Sequence, residues 1–237
     1  MKILITGGGS EEPIDTVRYI TNFSTGKTSC FLAEKFAEAG DDVTLLTAEK
    51  AVHPAKTAPN LKTVFYRTFK DLAFNLKKLC AAQSFDTVIH AAAVSDYSVS
   101  SIIVDGKEFL PEQIAKVPSG LELTVNMKKN PKLVDSIKGW SKESGKIPVL
   151  VAFKLTSKAT PEERKAAVEK VFSSNQNSLL APDYVVSNDL SEITKNEHPC
   201  RIFSKDLDTA ALTDNLNGLY KELERLTAQG QDKNYLK

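Results

Sequence analysis

Short apolar runs alternate with runs of helical period along the first half of the chain. Lys2–Thr6, built on Ile3, Leu4 and Ile5, predicts a buried strand that ends in Gly7-Gly8-Gly9. The polar stretch Ser10–Thr21 follows, and Ser24-Thr25-Gly26-Lys27 then opens a helix. Phe31, Leu32, Lys35, Phe36 and Ala39 recur at helical spacing, and Gly40 is its C-terminal stop. Further strands are predicted at Val43–Leu46, Thr63–Tyr66 and Thr87–Ala92. Pro54 and Pro59 make Val52–Asn60 a loop, and Leu72, Leu76 and Leu79 give Phe69–Ala82 one apolar helix face.

Strand, crossover helix and strand in repetition predict an α/β fold with a doubly wound, mostly parallel, Rossmann-like sheet. Ligands of such sheets lie beyond the carboxyl ends of the strands. Gly7–Gly9 and Ala93–Tyr97 fall there. The middle of the chain changes character. Ser98–Gly120 has no clean period and Leu121–Met127 reads as a strand, so about 98–127 is expected to form an inserted flap or small subdomain. The alternation then resumes, with helices at Asn130–Trp140 and Pro161–Asn175 and strands at Val149–Phe153 and Tyr184–Ser187. Arg201–Phe203 is expected at a sheet edge, Ala210–Leu226 as a closing helix and Gln229–Lys237 as a loose tail. The whole, 1–237, reads as one domain.

Composition narrows the function. The 237 residues are 41% hydrophobic and 26% charged, which excludes a disordered, collagen-like or coiled-coil chain. With 31 Lys+Arg against 30 Asp+Glu, bulk electrostatics do not hold this protein to nucleic acid, and anions must be met by local groups. Apolar runs fall well short of the roughly 20 residues of a membrane helix, and the N-terminus does not read as an export signal, so a cytoplasmic protein is expected. Cys30, Cys80 and Cys200 are scattered and odd in number, as reduced packing thiols are. His53, His90 and His198 have no metal-site spacing, so metal ligands stay unassigned.

Several segments suit chemistry. Gly7-Gly8-Gly9 suits either a phosphate cradle or a plain tight turn, but Ser10 to Pro13 break any G-x-G-x-x-G fingerprint. Gly26-Lys27-Thr28 imitates the end of a P-loop, yet Thr21 stands where the first glycine belongs. Ser24 at the helix N-terminus suits an anion or an ordinary cap. Arg18 and Asn22 can approach a ligand together, though pattern alone favours a surface loop. In His90-Ala91-Ala92-Ala93-Val94-Ser95-Asp96-Tyr97 the alanines leave room for a flat group, and Asp96 suits a ribose or a cap. His90 reads as a core histidine. Lys116, Lys128 and Lys129 suit phosphoryl chemistry or plain solvation.

Taken together, the string from Gly8 through Glu12-Pro13-Ile14-Asp15, Val17-Arg18-Tyr19-Ile20-Thr21-Asn22 and Ser24-Thr25-Gly26-Lys27 resembles the phosphopantothenoylcysteine synthetase family. So do the His90–Tyr97 segment, Lys128-Lys129-Asn130-Pro131-Lys132 and Val186-x-Asn188-Asp189. The resemblance implies a ligase of coenzyme A biosynthesis that joins 4′-phosphopantothenate to the amino group of L-cysteine. The carboxylate is activated by CTP or ATP as an acyl-nucleotidylate with magnesium present, and CTP is favoured. It implies roles for Gly8, Ser24, Gly26, Lys129 and Asn130 toward the nucleotide, with Ala93, Asp96, Phe153, Asn188 and Asp189 around the nucleoside. Asn22 would donate to the acyl oxygen, Arg18 would contact a carboxylate or phosphate, and Lys116 would close over the phosphorus. A homodimer, no bound flavin and a separate decarboxylase acting next in the pathway are also implied, since the chain starts at the first strand like free-standing bacterial members. Val151-Ala152-Phe153-Lys154-Leu155 departs from the fused bacterial string, which leaves the base open. The rival readings are a nicotinamide oxidoreductase, against which the broken glycine fingerprint argues, and a nucleotide-sensing module that releases no pyrophosphate.

Overall fold

The ends of β1, Lys2–Gly7, set the frame on which everything else is hung. The computed structural model describes residues 1–175 and 177–234. Its eight-stranded sheet has the order β13-β12-β11-β10-β6-β1-β4-β5. The strands are β4 (Asp42–Ala48), β5 (Leu61–Tyr66), β6 (Thr87–His90), β10 (Val149–Thr156), β11 (Tyr184–Asp189), β12 (Cys200–Ser204) and β13 (Thr209–Thr213). β5, β4, β1, β6, β10 and β11 run parallel, and β12 and β13 close one side antiparallel.

Strand alternation sorts the core onto two faces. Ile3 and Ile5 of β1 point to one face, against Leu32 and Phe36 of α1 (Lys27–Glu38) and Leu219 and Leu223 of α5 (Leu216–Asn234). Leu4 points to the other, against Leu72 and Leu76 of α2 (Phe69–Ala82) and Ile137 of α3 (Val134–Ser141). α4 (Pro161–Phe172) continues that second layer by burying Val168 on Ala152 and Val185. Each such side chain, fully buried, contributes roughly 1.5–3 kcal/mol. Cys30, Cys80 and Cys200 are free and buried, and burial pushes their thiols up to about 11, 11 and 12. No described helix is long and apolar enough to cross a membrane.

The inserted segment is more regular than its sequence suggests. β7 (Tyr97–Val104), β8 (Lys107–Phe109) and β9 (Leu123–Lys129) form a three-stranded antiparallel sheet in the order β8-β7-β9. Asp105-Gly106, both at positive φ (48° and 76°), make the two-residue hairpin turn between β7 and β8. Ile102, Val104 and Val117 are its core. The polar stretch Ser10–Thr21 also holds structure, a hairpin of β2 (Glu11–Pro13) and β3 (Tyr19–Thr21).

Other expectations are corrected. The helix expected from Asn130 begins only at Val134: Asn130 precedes Pro131, which disfavours helical backbone there, and its backbone N–H continues from β9 to the Asp96 carbonyl, 2.8 Å. The strand at Cys200–Ser204 is not the edge, since β13 lies outside it. β13 also takes the start of the expected closing helix, so α5 starts at Leu216 and runs through the expected loose tail to Asn234. Residues 235–237 of that tail lie outside the described residues.

Candidate active site

β1 and β6 stay hydrogen-bonded beyond their strand ends. Ala93 N–H donates to the Gly8 carbonyl at 2.8 Å, and Ser10 N–H to the Ala93 carbonyl at 3.3 Å. The crevice between these two strands is therefore closed, and open space moves to the β6–β10 side. There a cleft of about 1110 Å³ is lined by Asn22, Phe23, Ala93, Asp96, Phe153 and Lys154, among others. It is large enough for a nucleotide with a second substrate beside it.

Asn22 reaches this cleft because Gly9 has no side chain. A Cβ at Gly9 would fall 2.3 Å from the Asn22 carbonyl oxygen. The Asn22 amide donates to the Val94 carbonyl at 2.9 Å, which leaves its second N–H for a ligand. Two residues on, Ser24 leads into α1. Gly26, left-handed at φ 72°, is the N-cap residue before α1 and offers no side-chain cap. The Lys27 N–H meets the Thr25 hydroxyl at 3.4 Å, and the next amides of the first turn are available to an anion. Gly8 and Gly26 lie together against Ala51, whose Cβ would be 3.0 and 2.7 Å from added side chains. Ser24, Gly8 and Gly26 do not themselves line the cleft; they adjoin it through Asn22 and Phe23.

Arg18 and Lys116 belong to a latch between the hairpin and the inserted sheet. Asp15 accepts from the amides of Val17 (2.8 Å), Arg18 (2.8 Å) and Val117 (3.0 Å) and from the Arg18 guanidinium (3.0 Å). Arg18 also donates to the Val117 carbonyl at 3.0 Å, and Thr16 N–H to the Ala115 carbonyl at 3.1 Å. Lys116 is thereby fixed at both neighbouring peptides while its own side chain stays exposed. It does not line the cleft of its own chain. Burial would raise the Asp15 carboxyl, but the Val117, Val17 and Arg18 amides and the Arg18 charge hold it below the ordinary range. Asp15→Asn should cost about 1.5–3 kcal/mol of stability, read as a lower urea midpoint; an unchanged midpoint would show that the latch is slack.

Of the remaining expected residues, Asn130, Asn188 and Asp189 spend their side chains on the framework. Asn130 is buried, donating to the Ser95 carbonyl (3.1 Å) and Ser98 hydroxyl (2.8 Å), so it shapes the Ala93–Tyr97 turn rather than facing the cleft. Lys129 ends β9, paired in register with Tyr97, away from the cleft. The Asn188 side chain turns to His198, 3.2 Å away. Asp189 is fully buried and bonds the Thr156 hydroxyl (2.7 Å) and the Lys158 and Ala159 amides (2.9 and 3.1 Å). With the Ser191 hydroxyl foremost among its donors, it is held far below the usual carboxylate range. Asp96 lines the cleft and pairs with Lys132, which the Lys128–Lys132 string contains without a role of its own. Among the described residues no group of three or more His, Cys, Asp or Glu is placed to hold a metal ion. Magnesium fits here only as a companion of bound phosphates, its usual mode.

His90 is buried as expected, yet it also lines the cleft, with Nδ1 2.8 Å from the Thr6 hydroxyl. Burial lowers its imidazole to about 4. The folded state therefore refuses a proton that the unfolded chain takes up below about pH 6.5. Its contribution is complete above that pH and is lost as pH falls toward 4. His90→Gln should spare the protein about 2 kcal/mol of the stability lost between pH 7 and pH 5. Urea midpoints at the two pH values check this, and parallel losses in both proteins would contradict it.

A family profile described as DNA/pantothenate metabolism flavoprotein C-terminal domain matches residues 1–216. The chain belongs to this family. Within it, the coenzyme A biosynthesis bifunctional protein CoaBC of Thermococcus kodakarensis is 28% identical over 229 residues, 95% of this chain. The chain spans about half, 51%, of that relative's length. The crystal structure of the DNA/pantothenate metabolism flavoprotein from Streptococcus pneumoniae superposes with a TM-score of 0.81 at 29% identity, covering 97% of this chain and 99% of that one. A Cab2 variant in complex with phosphopantothenate-cysteine shares the fold at 19% identity and a TM-score of 0.71, covering 98% of this chain and 86% of that one.

Proposed function

We propose that this chain is a phosphopantothenate–cysteine ligase, forming an acyl-nucleotidylate from 4′-phosphopantothenate and a nucleoside triphosphate, CTP in preference to ATP. The observation that carries the reading is the meeting of Asn22, Ala93, Asp96 and Phe153 at one cleft beside the uncapped start of α1. Membership of the family and the coenzyme A biosynthesis role in the relative's name support it.

The chemistry divides between the two sides of Asn22. The α1 amides, with Ser24 and the Gly8 and Gly26 turns, receive the phosphates. Magnesium carried by the triphosphate supplies charge neutralisation that a chain of net charge +1 lacks. Ala93 and Phe153 flank the flat base and Asp96 meets the ribose. The substrate carboxylate oxygen attacks the α-phosphorus, and the bond to pyrophosphate breaks. Lys116 stabilises the crowded phosphorus; a second copy of the chain supplies it, since it does not line its own cleft. The free N–H of Asn22 holds the acyl oxygen while the cysteine amine attacks the carbonyl carbon and the nucleoside monophosphate leaves.

Pyrophosphate release, followed with phosphopantothenate, cysteine and each of CTP and ATP, tests the proposal. Release that requires the acid and is faster with CTP is expected. No release with either nucleotide would overturn the reading.

A further inference from the structure

We propose that His90 selects the nucleobase, its Nε2–H donating to the exocyclic carbonyl oxygen of a pyrimidine at the floor of the cleft. The inference rests on the ligase reading and supplies a cause for its preference of CTP over ATP. The hydrogen bonds around Thr6 fix the tautomer of the ring. The Thr6 hydroxyl accepts from the Ala92 amide at 3.2 Å and lies 2.8 Å from His90 Nδ1. Among the described residues it has no other partner, so its single proton goes to Nδ1. Nδ1 is then an acceptor, and the neutral ring carries its proton on Nε2. Among the described residues Nε2 has no partner, although His90 is only 7% exposed. A buried donor left unpaired costs stability, and the cleft that His90 lines is where a ligand can pair it.

The surroundings select the acceptor. β6 lies between β1 and β10, so Thr6 and Ala152 flank His90 in register. Thr6 holds Nδ1 on one side, and Ala152 adds only a methyl group on the other. Ala92, Leu133 and Val134 line the same cleft and are apolar. Burial keeps the imidazole uncharged at neutral pH, and no neighbouring charge offsets it. A neutral N–H in an apolar recess suits an uncharged acceptor, whereas a phosphate is met best by a charged donor. Ala152 precedes Phe153, which flanks the base in the ligase reading, so the acceptor at this place belongs to the base. Cytosine carries an exocyclic carbonyl oxygen. Adenine has none and presents ring nitrogens and an amino donor instead. The recess pairs its donor with the first base and leaves it unpaired with the second, which is a strong basis for discrimination.

Calorimetric binding of CTP–magnesium, ATP–magnesium and phosphopantothenate to the intact protein tests the assignment, in wild type and in His90→Leu, which removes the donor. His90→Leu should weaken CTP about tenfold or more and leave ATP and phosphopantothenate unchanged. Long-range ¹H–¹⁵N spectra of the wild type at pH 7 supply a second measurement that needs no variant. They should show His90 protonated on Nε2, and CTP should shift that nitrogen where ATP does not. Unchanged CTP binding in the variant, equal weakening of CTP and ATP, weakening of the acid alone, or a proton on Nδ1 overturns the proposal. If CTP binding depends on His90 in this way yet the wild type releases no pyrophosphate, the ligase reading falls and the base selection remains.

Discussion

The Asn22→Asp protein should consume acid and nucleotide, release pyrophosphate and yet form almost no amide. The Asn22 side chain lies at the edge of the cleft with one N–H on the Val94 carbonyl and the other free. Replacing that amide with a carboxylate removes the donor and sets a negative charge against the acyl oxygen. Loss of one such donor slows a step by roughly 10²–10³-fold. The fold should be little affected, because Asn22 is exposed and only one hydrogen bond is lost. The acyl-nucleotidylate should therefore accumulate, visible as pyrophosphate formed in a burst without matching product. Normal turnover by this variant would remove Asn22 from the mechanism.

The second large effect is expected at the other half-reaction. Lys116→Gln should abolish activation itself, lowering pyrophosphate release by roughly 10²–10³-fold. Lys116 is exposed and the peptides on either side of it are held by Asp15, Arg18 and Thr16, so the substitution leaves the latch intact. The two variants thus separate the steps: one stalls after pyrophosphate, the other before it. An unchanged release rate in Lys116→Gln would assign the phosphorus to another lysine.

These contrasts show where sequence was informative. The parallel core was legible because its strands are buried on both faces, so Ile3 to Ile5 and Val149 to Phe153 read as continuous apolar runs. α2 was legible to its last residue, since one apolar stripe and a Thr68 cap define it locally. The inserted sheet was not. Tyr97–Val104 carries serines on a small half-buried surface, and the Asp105-Gly106 turn signal was passed over. β13 was missed because Thr209–Thr213 continues into helix-forming sequence, and only pairing with β12 makes it a strand.

The site divides in the same way. Asn22, Ala93, Asp96 and Phe153 were read from motif strings and meet at the cleft. Asn130, Asn188 and Asp189 lie in equally distinctive strings but spend their side chains on the framework. A motif marks residues that a site needs without separating those that touch a ligand from those that hold the turn. Lys154 stood in the Val151–Leu155 string that was read only for the nucleotide base, and the structure adds that it lines the cleft.

The central claim is that the acid's carboxylate oxygen becomes bonded to the nucleotide's α-phosphorus. Phosphopantothenate labelled with ¹⁸O in its carboxylate tests this directly. After one turnover with cysteine, mass spectrometry should find one labelled oxygen in the nucleoside monophosphate and none in pyrophosphate. Label in inorganic phosphate, or retained wholly in the amide and unreacted acid, would contradict activation by nucleotidyl transfer.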